Sequence, residues 1–130
     1  MRTELQAMLS DVSAFNSITM FNKFNVFPYM IEIPLTCQDL AQNPDKILSL
    51  FQQSFVMCNT LQRFISDKDD FTFIDTMRNY FKLPDIRCLL YMCAILEPFT
   101  PYKVLVNPKT QKTEPLAFNL MKDSLKVFNL

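Results

Sequence analysis

Not one of the 130 residues is glycine, and that absence limits what the chain can build. A phosphate-cradling loop needs backbone that approaches its ligand closely, which glycine alone permits, so nucleotide-binding fingerprints are excluded. Tight turns must instead rest on Asn, Asp and the eight prolines. The length suits one domain with a single core. Apolar residues make up 49% of the chain, and thirteen phenylalanines and eight methionines supply bulk for that core.

Hydrophobic periodicity predicts an all-α fold, a compact helical bundle around a buried central helix. Over residues 3–24, Leu5, Met8, Leu9, Val12 and Phe15 recur at helical spacing. Pro28 and Pro34 then predict an extended connector over 25–35, with strand-like alternation from Met30 to Glu32. Thr36 is placed to cap a short turn reaching Ala41. Asn43-Pro44-Asp45 has the order of a helix start: a capping side chain, a proline where no N–H is needed, then an acid at the positive end. The helix it opens runs to about Ser66, with Ile47, Phe51, Phe55, Cys58, Leu61 and Ile65 along one face. A third helix over 71–81 buries Phe73, Ile74, Met77 and Phe81. Pro84 and Asp85 open a fourth, apolar on every side over 88–96, which predicts full burial with Leu90 and Ile95 at the core centre. Pro98 and Pro101 end it. Residues 102–106 are strand-like, 107–112 form a polar loop, and a last helix is expected from Thr113, Glu114 and Pro115. That helix carries Leu116, Leu120, Met121, Leu125 and Phe128, and its pattern still runs at Leu130, which suggests a natural continuation beyond it. Phe21, Phe24 and Phe27 are expected to remain exposed and to face a partner.

Several chemistries are disfavoured. The chain has no histidine, so a nucleophilic cysteine lacks its usual base. Cys37, Cys58, Cys88 and Cys93 include no C-x-x-C pair, and the sequence predicts four reduced, buried thiols with no metal and no cofactor. Asp67, Asp69, Asp70 and Asp75 crowd a helix start, where capping and solvation explain them better than acid–base catalysis. Thirteen basic and thirteen acidic residues balance, which argues against a nucleic-acid partner. The longest uncharged apolar run, residues 88–96, falls short of the roughly 20 residues a bilayer requires, so no membrane partner is expected.

Charge does gather locally. Lys103, Lys109, Lys112, Lys122 and Lys126 face only Glu114 and Asp123 over residues 102–126. Lys122 and Lys126, four apart, are expected on one helical face, with Lys109 and Lys112 on the loop before it. The segment Val104-Leu105-Val106-Asn107-Pro108-Lys109-Thr110-Gln111-Lys112-Thr113 resembles the one that opens the last helix of the calponin-homology-like (CH-like) domain in the Nuf-two family of kinetochore proteins. Asp39-Leu40 followed by Asn43-Pro44-Asp45-Lys46 is similar to that family's entry into its long helix. The likeness runs from about Ile31 to Phe128. Two departures stand out: the family's early loop usually holds a glycine, and Gln111 stands where many members carry another base.

The resemblance implies a non-catalytic subunit of the outer kinetochore, located in the nucleus at the centromere. It implies side-by-side pairing with the CH-like domain of the Ndc-eighty subunit, and contact with other kinetochore subunits through a coiled coil. It also implies contact with the acidic surface of tubulin in microtubules through Lys109, Lys112, Lys122 and Lys126. Two alternatives fit the same residues: a CH-like adaptor of the intraflagellar-transport type, and an unrelated small helical module that binds a partner's helix.

Overall fold

A computed structural model describes residues 4–66 and 72–124. The chain is mostly helical, with one small two-stranded sheet, so the expected helical class holds except for that sheet.

The predicted first helix is two. Helix α1 (Glu4–Ser10) and helix α2 (Ala14–Lys23) are separated by a turn at residues 11–13. The Asp11 carboxylate accepts both the Ser13 N–H, at 2.9 Å, and the Ser13 hydroxyl, at 2.8 Å. This local bonding competes with helix continuation. Val12, expected on the apolar face, is therefore in solvent, 88% exposed. Leu5 and Leu9 are buried, while Phe15 stacks on Phe55 with ring centroids 6.2 Å apart.

The extended connector is also corrected. Residues Phe27–Met30 form a helical turn, α3, with Pro28 in its first turn, where a missing N–H costs nothing. Asn25 precedes it with φ at 53°, a left-handed position that asparagine tolerates better than most residues. Helix α4 (Gln38–Ala41) follows, capped from Cys37 without a side-chain bond. Thr36 instead lends its carbonyl to the N–H of Leu105, 3.3 Å away.

Helix α5 (Pro44–Ser66) begins as the sequence requires, with the Asn43 side-chain oxygen accepting the Lys46 N–H at 3.2 Å. Its inner face buries Leu50, Phe51, Ser54 and Cys58, with Ile47, Phe55 and Leu61 packed alongside. Helix α6 (Thr72–Phe81) leads to α7 (Pro84–Leu96), and a 3-10 turn (Glu97–Phe99) ends the latter at Pro98. Phe81 is half-buried against Tyr91, with ring centroids 5.3 Å apart. For Ile65, Phe73, Ile74 and Met77 the side chains lie outside the described residues, as do Phe71 and the acidic run Asp67, Asp69 and Asp70; the side chain of Asp75 does too.

Helix α7 packs against α1, α5 and α6, which makes it central. It is not covered all round. Ile95, Met92 and Tyr91 are buried, whereas Leu89 is 43% exposed, Leu90 is half-buried and Cys93 faces outward. An evenly apolar helix loses its whole surface only if neighbours surround it, and here they cover part of the circumference. Ser54 ties α5 to α7 through its hydroxyl, which lies 2.5 Å from the Ile95 carbonyl oxygen. The Phe51 and Phe99 rings, 4.9 Å apart, continue that seam, so the two helices run antiparallel.

Strand β1 (Lys103–Asn107) pairs antiparallel with β2 (Lys112–Pro115), Val104 opposite Glu114. Thr113 to Pro115, expected to start a helix, thus form a strand; helix α8 begins only at Leu116 and runs Leu116–Asn119, followed by a wider π-type turn, Leu120–Ser124. Val104, Leu116 and Leu120 anchor this unit in the core.

Candidate functional site

The hairpin projects the two lysines that the sequence singled out. Lys109 and Lys112 are both exposed at its tip, and Lys103 is exposed at its base. The tip is fixed locally: the Asn107 side-chain oxygen accepts the Lys109 N–H at 3.0 Å, and the Gln111 amide donates to the Pro108 carbonyl at 2.8 Å. Gln111 itself has φ at 56°, a turn position that would commonly hold glycine. The patch is not uniformly positive, because Asp39 stands with Lys103 and Gln111 around a shallow polar hollow of about 250 Å³.

Lys122 does not join that patch as expected. It is bound to Glu114 at 3.2 Å, and its ammonium lies 5.4 Å from the centre of the Phe118 ring. Asn119, which donates to Glu114 at 2.8 Å, and then Lys122 hold the Glu114 carboxyl below the usual carboxylate range. Lys126, expected on the same helical face as Lys122, lies outside the described residues together with Leu125 and Phe128.

The proposed phenylalanine interface is largely core. Phe27 is 1% exposed, wedged edge-on against Phe21 at 5.6 Å and stacked on Phe51 at 5.7 Å. Phe21 is partly buried in the same cluster. Only Phe24 is exposed, beside Tyr29, Pro28 and Leu48 around a hollow of about 350 Å³. An apolar residue on a short amphipathic element is more often the anchor that holds that element down, and Phe27 does this for α3.

None of the four cysteines is in a disulfide. Cys37, Cys58 and Cys88 are buried as expected, but Cys93 is exposed. Burial pushes the Cys58 thiol up to about 12 and raises that of Cys37, so both are poor nucleophiles at neutral pH. Among the described residues, no three metal-ligating side chains gather, and no helix is long and apolar enough to cross a membrane.

A second surface was not anticipated. Met57, Leu61 and Phe64 from α5, with Leu90, Cys93 and Ala94 from α7, line an apolar groove of about 420 Å³. Thr60 also borders it, but its hydroxyl is engaged by the Val56 carbonyl at 2.9 Å. The signal was present: Met57, Leu61 and Phe64 are spaced by four and three, one stripe beside the core face of α5. Leu61 was assigned to the core, and Leu90 to its centre, which hid the stripe.

Comparison of the chain with protein-family models, curated proteins and solved structures yields no match. The surfaces above therefore carry the functional argument.

Proposed function

We propose that this chain is a non-catalytic adaptor, a CH-like domain of the Nuf-two type that pairs with the CH-like domain of an Ndc-eighty subunit and supports attachment of kinetochores to microtubules. The observation that carries the reading is the hairpin tip, held by local hydrogen bonds with Lys109 and Lys112 both in solvent, at the segment that resembles the family. Support also comes from the order of parts: an Asn-capped long helix, a largely apolar central helix, then the basic segment. Clustered surface lysines suit an acidic polymer such as the microtubule even when the net charge is zero.

Pairing is the test of this assignment. An Ndc-eighty CH-like domain, with each chain carrying its own coiled coil, is expected to co-elute with this chain at micromolar concentration, the coil raising the effective concentration of the two domains. Separate elution would set the kinetochore assignment aside. The α5–α7 groove favours one other reading, a helical module that binds a partner protein outside the kinetochore. Pairing with Ndc-eighty separates the two.

A further inference from the structure

Glu114 stands between two cations. Its carboxylate accepts the Lys122 ammonium at 3.2 Å. It also shares a face of β2 with Lys112, two residues away and roughly 7 Å along the strand. Asn119 donates to the same carboxylate oxygen at 2.8 Å, which fixes the acid in place. The carboxyl is ionised at neutral pH, lowered first by the Asn119 bond, then by Lys122 and by the charge of Lys112. The Glu114 side chain is 17% exposed, whereas that of Lys122 is 39% exposed. The Phe118 ring, itself 44% exposed, lies 5.4 Å from the Lys122 ammonium and keeps it at the surface. The order of charge from Lys112 through Glu114 to Lys122 is thus positive, negative, positive.

We propose that Glu114 limits the affinity of the basic hairpin for acidic polymers, by occupying Lys122 and by setting a negative charge between Lys112 and Lys122. The inference rests on the proposed contact of Lys109 and Lys112 with an acidic surface, and adds the residue that sets its strength. A cation already neutralised gains little from a second anion. A fixed carboxylate within the screening length of about 8 Å also repels that anion. Removing the carboxylate alone frees one cation and deletes one repulsive charge, and both changes favour binding. Removing Lys122 alone does the opposite, because it leaves Glu114 unpaired beside Lys112. Removing both restores the wild-type sum of charge. A repulsive element inside an attractive surface keeps binding weak and reversible and rejects sparsely charged partners.

Fluorescence anisotropy with poly-L-glutamate at low salt tests it on the chain alone. Glu114→Gln is expected to bind about three- to tenfold more tightly than wild type, with a steeper fall as salt rises. The glutamine oxygen still accepts from Asn119, and circular dichroism is expected to show an unchanged fold. Lys122→Gln is expected to bind more weakly than wild type. The double variant Glu114→Gln, Lys122→Gln is expected to return to the wild-type affinity. Glu4→Gln makes the same change in net charge at an exposed position on α1, which packs against α7 and α2. It is expected to leave affinity within about twofold of wild type, since distant exposed charges are screened. The inference is overturned if Glu114→Gln binds no more tightly than wild type, or if Glu4→Gln gains as much. A double variant that keeps the whole gain overturns it too, as does a failure of both wild type and Glu114→Gln to bind the polymer. In complex with an Ndc-eighty subunit, the same gain is expected in microtubule co-sedimentation. A gain on polyglutamate, with neither wild type nor variant binding microtubules, supports the role of Glu114 and sets aside the microtubule reading alone.

Discussion

Arg87 brings a full positive charge into the interior, with only 6% of its surface exposed. Its guanidinium donates to the Ser10 carbonyl at 2.6 Å and to the Lys82 carbonyl at 3.1 Å, and it lies 5.7 Å from the centre of the Phe81 ring. One side chain thereby ties the end of α1 and the α6–α7 turn to α7. It also contributes, after the bonds from Ser13, to holding the Asp11 carboxyl below its ordinary value. Arg87→Met keeps most of the volume but leaves two carbonyls without their charged donor, which should cost about 1–3 kcal/mol in urea unfolding. An unchanged midpoint would mean that water replaces the guanidinium without loss. Nothing in the sequence pointed to this role, because the Ser10 carbonyl is 77 residues away and no local pattern encodes such a distance. Asn25 was different: in a chain without glycine, asparagine is the expected left-handed residue, and it occupies that position. Gln111 was not legible, since its positive φ is imposed by the hairpin tip rather than by any preference of glutamine.

Among the elements, α5 was the most legible and α7 the most instructive. The Asn-Pro-Asp start of α5 is local chemistry, readable from adjacent residues, and it was found where expected. The composition of α7 indicated a central helix but not which side stays open, because that depends on where α1, α5 and α6 dock. Ile95→Ala should therefore cost about 2–5 kcal/mol, the range for a buried aliphatic side chain that leaves a cavity. Leu89→Ala, on the open side, should lower the free energy of urea unfolding by no more than a surface substitution does, about 0.5 kcal/mol. Equal losses at the two positions would contradict the one-sided burial. The break between α1 and α2 and the second strand of the hairpin were missed for a shared reason, whereas the first strand was read from residues 102–106. Asp11 and Glu114 act through short-range bonds that stop or delay a helix, and periodicity does not register them. Glu114 gives this a pH signature. Its native value lies below the ordinary 4.5, so its stabilisation is complete above about pH 4.5 and is lost as the pH falls through the lowered native value. Glu114→Gln should lower stability at neutral pH by about 0.5–1 kcal/mol, typical of a partly exposed ion pair. The gap between mutant and wild type in thermal unfolding should close on acidification, and a gap that persists at pH 2 would refute the role of the carboxylate.

At the scale of the molecule, the aromatic series Phe21, Phe27, Phe51 and Phe99 links α2, α3, α5 and the 3-10 turn into one core. That core absorbs two of the three phenylalanines first expected at an interface, and it leaves two other surfaces for function: the basic hairpin tip and the α5–α7 groove. The hairpin lysines were legible because charge is a local property, whereas Lys122 was drawn out of the patch by Glu114, a partner eight residues away across the hairpin–helix junction. The proposed attachment to microtubules therefore rests on Lys109 and Lys112. The most direct measurement is microtubule co-sedimentation of the complex with an Ndc-eighty subunit, comparing wild type with the Lys109→Glu, Lys112→Glu double variant. Exposed ion pairs contribute up to about 1 kcal/mol each, so the variant is expected to bind about three- to tenfold more weakly at low salt, with pairing and fold intact. The difference should narrow towards 0.15 M salt, where screening limits the reach of charge to about 8 Å. Wild-type co-sedimentation by the double variant at low salt, with the partner present, would contradict a tubulin contact through this hairpin.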